Sequence, residues 1–174
     1  MNHIIVEDKL RDTNPVPVVI AFTPNYFIPA STCLYSIFAS LDTEEQMHVI
    51  CLLSEELPDR LKQKIQLIGG ERAQYSFINL QGRLQNIYID AKYTEVASYR
   101  LLLPDLLPEY DKVMYIDCDI IVRNNLVKLY RSVDLGNHYL AAVFEAPMDF
   151  QLGHLKVIGC HPDEYVNSGF LIMN

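Results

Sequence analysis

The chain has 174 residues, half of them hydrophobic, which is enough for one domain with a sizeable core. Its formal net charge of −8 sets it against the phosphate backbone of nucleic acid as a partner. Four scattered cysteines (Cys33, Cys51, Cys118, Cys160) contain no C-x-x-C pair, which suits a reducing compartment and argues against a disulfide framework or a zinc site.

A polar leader occupies residues 1–15 and has the character of neither a signal peptide nor a membrane span. Residues 16–22 are apolar and rich in β-branched side chains, and are expected to form a buried strand. Pro29 suits a first helical turn, and Leu34, Ile37, Phe38 and Leu41 recur at helical spacing, so a helix is expected over 28–41. Residues 48–53 form a second apolar strand. Ser54 is a candidate N-cap for a helix carrying Leu57, Leu61, Ile65 and Ile68 and stopping at Gly69-Gly70. A third strand covers 75–78. Strands alternating with helices of this length predict an α/β fold with a mostly parallel, doubly wound sheet.

Residues 80–94 read as a polar connection. A helix over 95–103 is expected to end before Pro104. A strand ends in Asp117, a short helix covers 126–130, and a further strand covers 139–144. Gly153, Gly159, Pro147 and Pro162 mark 146–163 as irregular, and a last strand begins near Tyr165.

The stretch Val113-Met114-Tyr115-Ile116-Asp117-Cys118-Asp119-Ile120-Ile121-Val122 sets two carboxylates, one residue apart, inside an apolar run. Charge is costly there unless a cation or partner neutralises it. The place for Asp117 and Asp119 is therefore the strand's C-terminal end, where open α/β sheets bind ligands. Carboxylates at i and i+2 can face one hard divalent ion, and Mg²⁺ or Mn²⁺ can in turn hold a diphosphate. Taken alone, the same pattern also describes a strand end followed by a solvated turn.

Four segments occur in a telling order: Ala21-Phe22-Thr23-Pro24-Asn25-Tyr26, then Ser98-Tyr99-Arg100-Leu101-Leu102-Leu103-Pro104, then the Asp117 strand, then Tyr165-Val166-Asn167-Ser168-Gly169-Phe170-Leu171-Ile172-Met173-Asn174. Together they resemble the family 8 glycosyltransferases, and the resemblance runs from Val16 to the end. It implies a GT-A (Rossmann-like) nucleotide-diphospho-sugar transferase fold, a UDP-sugar donor, Mn²⁺ or Mg²⁺, and hexose transfer with retention to a glycan or glycolipid acceptor such as lipopolysaccharide. It further implies that Asp119 and Asp117 hold the metal, with Asp117 shared with the ribose. Ala21, Thr23, Asn25, Tyr26 and Cys118 then line the nucleotide site, Arg100 meets the donor phosphate or sugar, and Asn167 and Ser168 meet the donor sugar. A cytoplasmic protein working at the inner face of the membrane fits this group.

A UDP leaving group gains negative charge as the glycosidic bond breaks, and a cation and a guanidinium on the diphosphate stabilise it. Removing one such group typically costs about 3–4 kcal/mol of barrier. Outside the family pattern, Arg100 would read as a surface arginine on a helix, Asn25 and Asn167-Ser168-Gly169 as turn residues, and Tyr26 as core.

The chain departs from the family at Thr23, where many bacterial members carry an acidic residue. The family's third metal ligand, a downstream histidine, has no counterpart: His3, His48, His138, His154 and His161 lie elsewhere, and His154 and His161 read as loop residues. Residues 16–174 are therefore expected to be a GT-A domain incomplete at its C-terminal end. Two other readings stay open: an inactive fragment or pseudoenzyme that binds UDP and metal, and a phosphatase of the haloacid-dehalogenase type, in which the first aspartate of D-x-D is the nucleophile.

Overall fold

Val16–Phe22 forms β1, and all seven of its residues are buried, the mark of a central strand covered on both faces. The computed structural model describes residues 14–84, 95–145 and 149–174. The leader up to residue 13 and most of the polar connection, from residue 85 on, lie outside the described residues. The other strands are β2 (Met47–Leu53), β3 (Ala73–Asn79), β4 (Val113–Asp117), β5 (Leu140–Phe144) and β6 (Val166–Met173). They form one sheet in the order β3-β2-β1-β4-β6-β5. The first four are parallel, whereas β6 runs antiparallel to both β4 and β5. The sheet is thus mostly parallel, with an antiparallel edge. Pro17 lies before the β4 ladder begins at Val18, so its missing N–H interrupts at most one of the two ladders beside β1.

Strand periodicity sorts the core into two layers. Val18, Ile20, Phe22, Met114 and Ile116 face α1 (Phe27–Ala39), α2 (Asp59–Gln66) and α4 (Leu126–Ser132), packing with Leu34, Ile37, Ile65 and Val127. Val19, Ala21, Val113 and Tyr115 face the opposite side, where Val96, Tyr99 and Leu103 cover them. Each fully buried leucine or isoleucine contributes about 1.5–3 kcal/mol relative to an exposed one. Asn125 caps α4, its side chain accepting from the Lys128 N–H at 3.1 Å.

Four local expectations need correction. Ser54 does not cap α2, which begins at Asp59; Pro58 takes the preceding position, and Leu57 is buried before the helix starts. The helical segment does not stop at Pro104. A 3-10 helix (Glu95–Leu102) passes into a short α3 (Leu103–Leu106), and Pro104 sits in the first turn, where its missing N–H costs nothing. The stretch 146–163 is not irregular throughout, for it holds α5 (Asp149–Ile158). Gly153 lies within that helix, Gly159 and Pro162 follow it, and the buried Leu155 anchors it; Pro147 lies outside the described residues. His154 therefore lies on a helix; His161 caps the 3-10 helix Pro162–Glu164, its Nδ1 accepting from the Asp163 N–H at 3.3 Å. Among the described residues, no helix is long and apolar enough to cross a membrane.

Candidate functional site

The chain winds outward from β1 through β2 to β3, then returns to set β4 on the other side of β1. The crevice beyond the C-terminal ends of β1 and β4 is therefore the topological switch point, the usual ligand position in such sheets. A cavity of about 530 Å³ opens there. β1 supplies Ala21 and Phe22, with Thr23 and Tyr26 just beyond; the 3-10 helix supplies Val96, Ala97, Ser98, Arg100 and Leu101; β4 and its turn supply Tyr115, Asp117, Cys118 and Asp119; and β6 supplies Ser168. Of the expected site residues, the structure brings Ala21, Thr23, Tyr26, Arg100, Asp117, Cys118, Asp119 and Ser168 to one wall. Asn25 and Asn167 are not on it. Asn25 is exposed in the 3-10 helix Pro24–Tyr26. Asn167 turns its side chain to Glu145 and to the backbone N–H of Gly169.

Arg100 is not a free surface arginine. Its side chain is only 11% exposed. Nε donates to the Ala97 carbonyl at 2.7 Å, Nη1 to the Ser168 carbonyl, and Nη2 to Asp117 Oδ1 at 3.2 Å. Its guanidinium also lies over the Tyr115 ring, 4.5 Å from the centroid. One cation thus ties the 3-10 helix to the tips of β4 and β6.

Asp117 ends β4 with its side chain 38% exposed, and Asp119 is exposed in the turn that follows. Tyr115, two residues before Asp117 and on the same face, donates its hydroxyl to Asp117 Oδ1 at 3.1 Å. Burial pushes the Tyr115 hydroxyl's pKa up, so it remains a donor. Gly169 passes so close that a Cβ on it would lie 2.5 Å from Asp117 Oδ2. Tyr115 and Gly169 were not among the expected site residues. Counting back by two from Asp117 would have found Tyr115; no local signal pointed to the contact of Gly169 with Asp117.

The thiols near these carboxylates stay protonated. Burial, and then the charges of Asp119 and Asp117, push Cys118 up to about 11. Burial foremost raises Cys33 to about 12, and its Sγ donates to the Asp117 carbonyl at 3.8 Å. Neither thiol is a ready thiolate ligand or nucleophile. Two carboxylates on a polar rim offer hard oxygen donors, which fits Mg²⁺ or Mn²⁺. Among the described residues, no three or more His, Cys, Asp or Glu side chains come together as a metal cage. An ion here would need oxygens from a ligand to complete its shell.

A parallel sheet with this switch point, and with carboxylates and an arginine at its mouth, defines the GT-A class of nucleotide-sugar folds. The chain belongs to glycosyl transferase family 8, whose family model matches residues 17–174. It is similar to general stress protein A of Bacillus subtilis (strain 168), with 23% identity over 168 residues, covering 95% of this chain and 58% of that protein. It is likewise similar to the structure of the galactosyltransferase LgtC in complex with donor and acceptor sugar analogues (27% identity, TM-score 0.71, 91% of this chain and 58% of that one). The bifunctional glycosyltransferase WbbM, in its apo structure, shares the fold at 24% identity and TM-score 0.76, over 100% of this chain and 32% of that one. The chain thus spans less than two thirds of the length of these relatives.

Proposed function

We propose that the cavity between β1 and β4 binds a UDP-sugar with Mn²⁺ or Mg²⁺, and that the chain serves as the donor half of a retaining hexosyltransferase acting on a glycan or glycolipid. The observation that carries this reading is the convergence of Arg100, Asp117 and Asp119, from two separate elements, on one cavity at the switch point. Asp117 and Asp119 would hold the cation, which when bound offsets the charge of the diphosphate leaving group. Arg100 supplies a second, planar cation beside them, suited to two phosphate oxygens. The Ser168 carbonyl and the Ala97 carbonyl orient that guanidinium. Ala21, Thr23 and Tyr26 line the same cavity, and the nucleoside would lie against them. The acceptor, whether lipopolysaccharide or another glycan, and a cytoplasmic place of work at the membrane's inner face belong to the same proposal.

A second reading rests on the same residues. The pair Asp117 and Asp119 with Arg100 would serve equally a chain that binds nucleotide and cation but transfers no sugar. One experiment tests the shared core of both. UDP plus Mn²⁺ together should raise the melting temperature by a few degrees, because linkage supplies about 2.7 kcal/mol at 100 times the dissociation constant. UDP or Mn²⁺ alone should do little. Equal shifts with ADP and GDP, or none with UDP and Mn²⁺, would sink the donor-site assignment. Sugar release or transfer in the same sample then separates enzyme from binding module.

A further inference from the structure

The carboxylate of Asp117 is approached unequally on its two oxygens. Oδ1 accepts from both the Tyr115 hydroxyl, at 3.1 Å, and Arg100 Nη2, at 3.2 Å. No donor among the described residues reaches Oδ2, and the bare backbone of Gly169 lies against it instead. The register explains the closeness. β4 and β6 pair as Ile116↔Phe170, so the next step sets Gly169 against Asp117. Gly169 is not among the glycines with positive φ, so its backbone does not demand glycine; the space beside Asp117 does.

We infer that Tyr115 and Gly169 are positioning residues for Asp117: the hydroxyl anchors Oδ1, the missing side chain leaves room for Oδ2, and Asp117 therefore offers a cation one oxygen in a fixed direction. This inference rests on the donor-site reading above. A carboxylate left to rotate would present either or both oxygens, and each rotation would have to be frozen when the ion binds. Tyr115 removes that freedom beforehand. Being 1% exposed and held in the core beside Val19 and Leu171, it cannot itself swing away. Its ring also supports the guanidinium of Arg100, so one side chain aligns both the anion and the cation of the site. Partners that orient a metal-binding carboxylate typically matter by roughly 10–100-fold in metal affinity.

The test is calorimetric titration of Mn²⁺ into the chain with saturating UDP, alongside uridine binding without metal and the melting temperature. Tyr115→Phe keeps the ring under Arg100 and deletes only the hydroxyl. It should weaken Mn²⁺ roughly 10-fold or more and leave uridine binding unchanged. Gly169→Ala presses on Oδ2 from the other side, keeps Tyr115, and should also weaken Mn²⁺. Wild-type Mn²⁺ affinity in Tyr115→Phe, while Asp117→Asn loses it, overturns this inference alone. So does a loss of Mn²⁺ matched by an equal loss of uridine, which would mark a structural role. If Tyr115→Phe fails to fold, Gly169→Ala decides, and wild-type affinity there overturns the inference. Failure of the unaltered chain to take up Mn²⁺ with UDP overturns the donor-site reading and this inference with it.

Discussion

Arg100 Nη2 sits 3.2 Å from Asp117 Oδ1, which places a cation against one of the two carboxylates proposed to hold a metal. The guanidinium holds that oxygen in place before any ligand arrives. It also competes with an incoming ion, because two cations beside one carboxylate repel each other. A diphosphate accepting from Arg100 would relieve that repulsion, which accounts physically for the expectation that metal and nucleotide bind together.

Arg100→Ala should therefore weaken UDP roughly tenfold or more, as loss of a hydrogen bond to a charged group does, while uridine changes little. Affinity for Mn²⁺ alone should rise, because its competitor at Asp117 is gone. Calorimetry with UDP, uridine and Mn²⁺ in turn reads all three. Equal weakening of UDP and uridine would assign Arg100 to structure instead.

Asp119→Asn should abolish the metal-dependent part of UDP binding and leave the melting temperature of the unliganded chain within about a degree. The side chain is exposed, and surface substitutions usually change stability by less than about 0.5 kcal/mol. An amide oxygen is a far poorer ligand for a hard ion than a carboxylate. Unchanged Mn²⁺-dependent affinity would remove Asp119 from the site.

His48 gives the fold a pH dependence. Its Nδ1 and Nε2 bond the Tyr110 hydroxyl at 2.5 Å and Ser76 Oγ at 2.8 Å, and burial lowers its pKa below the usual 6.5, against a smaller upward pull from Glu109. The unfolded chain thus binds the proton more readily than the folded one. The stability concerned is present above about pH 6.5 and is lost as pH falls below it. Urea melts at pH 7.5 and 5.5 should show a smaller difference for His48→Gln than for the unaltered chain. An identical difference would mean that His48 contributes nothing to it.

Gly69→Ala should destabilise the fold by roughly 1–3 kcal/mol, the usual cost of forcing a side chain into a sparsely populated backbone region. Gly69 has φ +83°, and a Cβ there would lie 2.7 Å from the Phe38 ring of α1. Gly70→Ala shares the positive φ but meets nothing within 4 Å, so it should cost less. Chemical denaturation of the two variants compares strain with strain plus clash, and equal losses would show that the contact with Phe38 carries no weight.

The alternation of apolar runs and helical spacing in residues 16–79 determined by itself that three strands and two helices form: β1 and β2 are buried on both faces, which demands an unbroken apolar run, whereas the edge strand β3 is only partly buried and mixes in Gln74 and Ser76. Asp117 and Asp119 were legible for the converse reason, since charges at the end of such a run need an exit to solvent or a ligand. What lay beyond the sequence depends on distant segments. The helix Asp149–Ile158 was hidden by Gly153 within it and by Gly159 and Pro162 after it, because glycine and proline mark a helix's end, or are tolerated inside one, as readily as they mark a loop. The partners of Arg100 could not be read locally either: Asp117 and Ser168 lie 17 and 68 residues away, and only the pairing of β4 with β6 brings their tips together. Gly169 carried no signal at all. Its lack of a side chain acquires meaning only where antiparallel register sets it against Asp117, and register is decided by how two strands bury their faces together rather than by either strand alone.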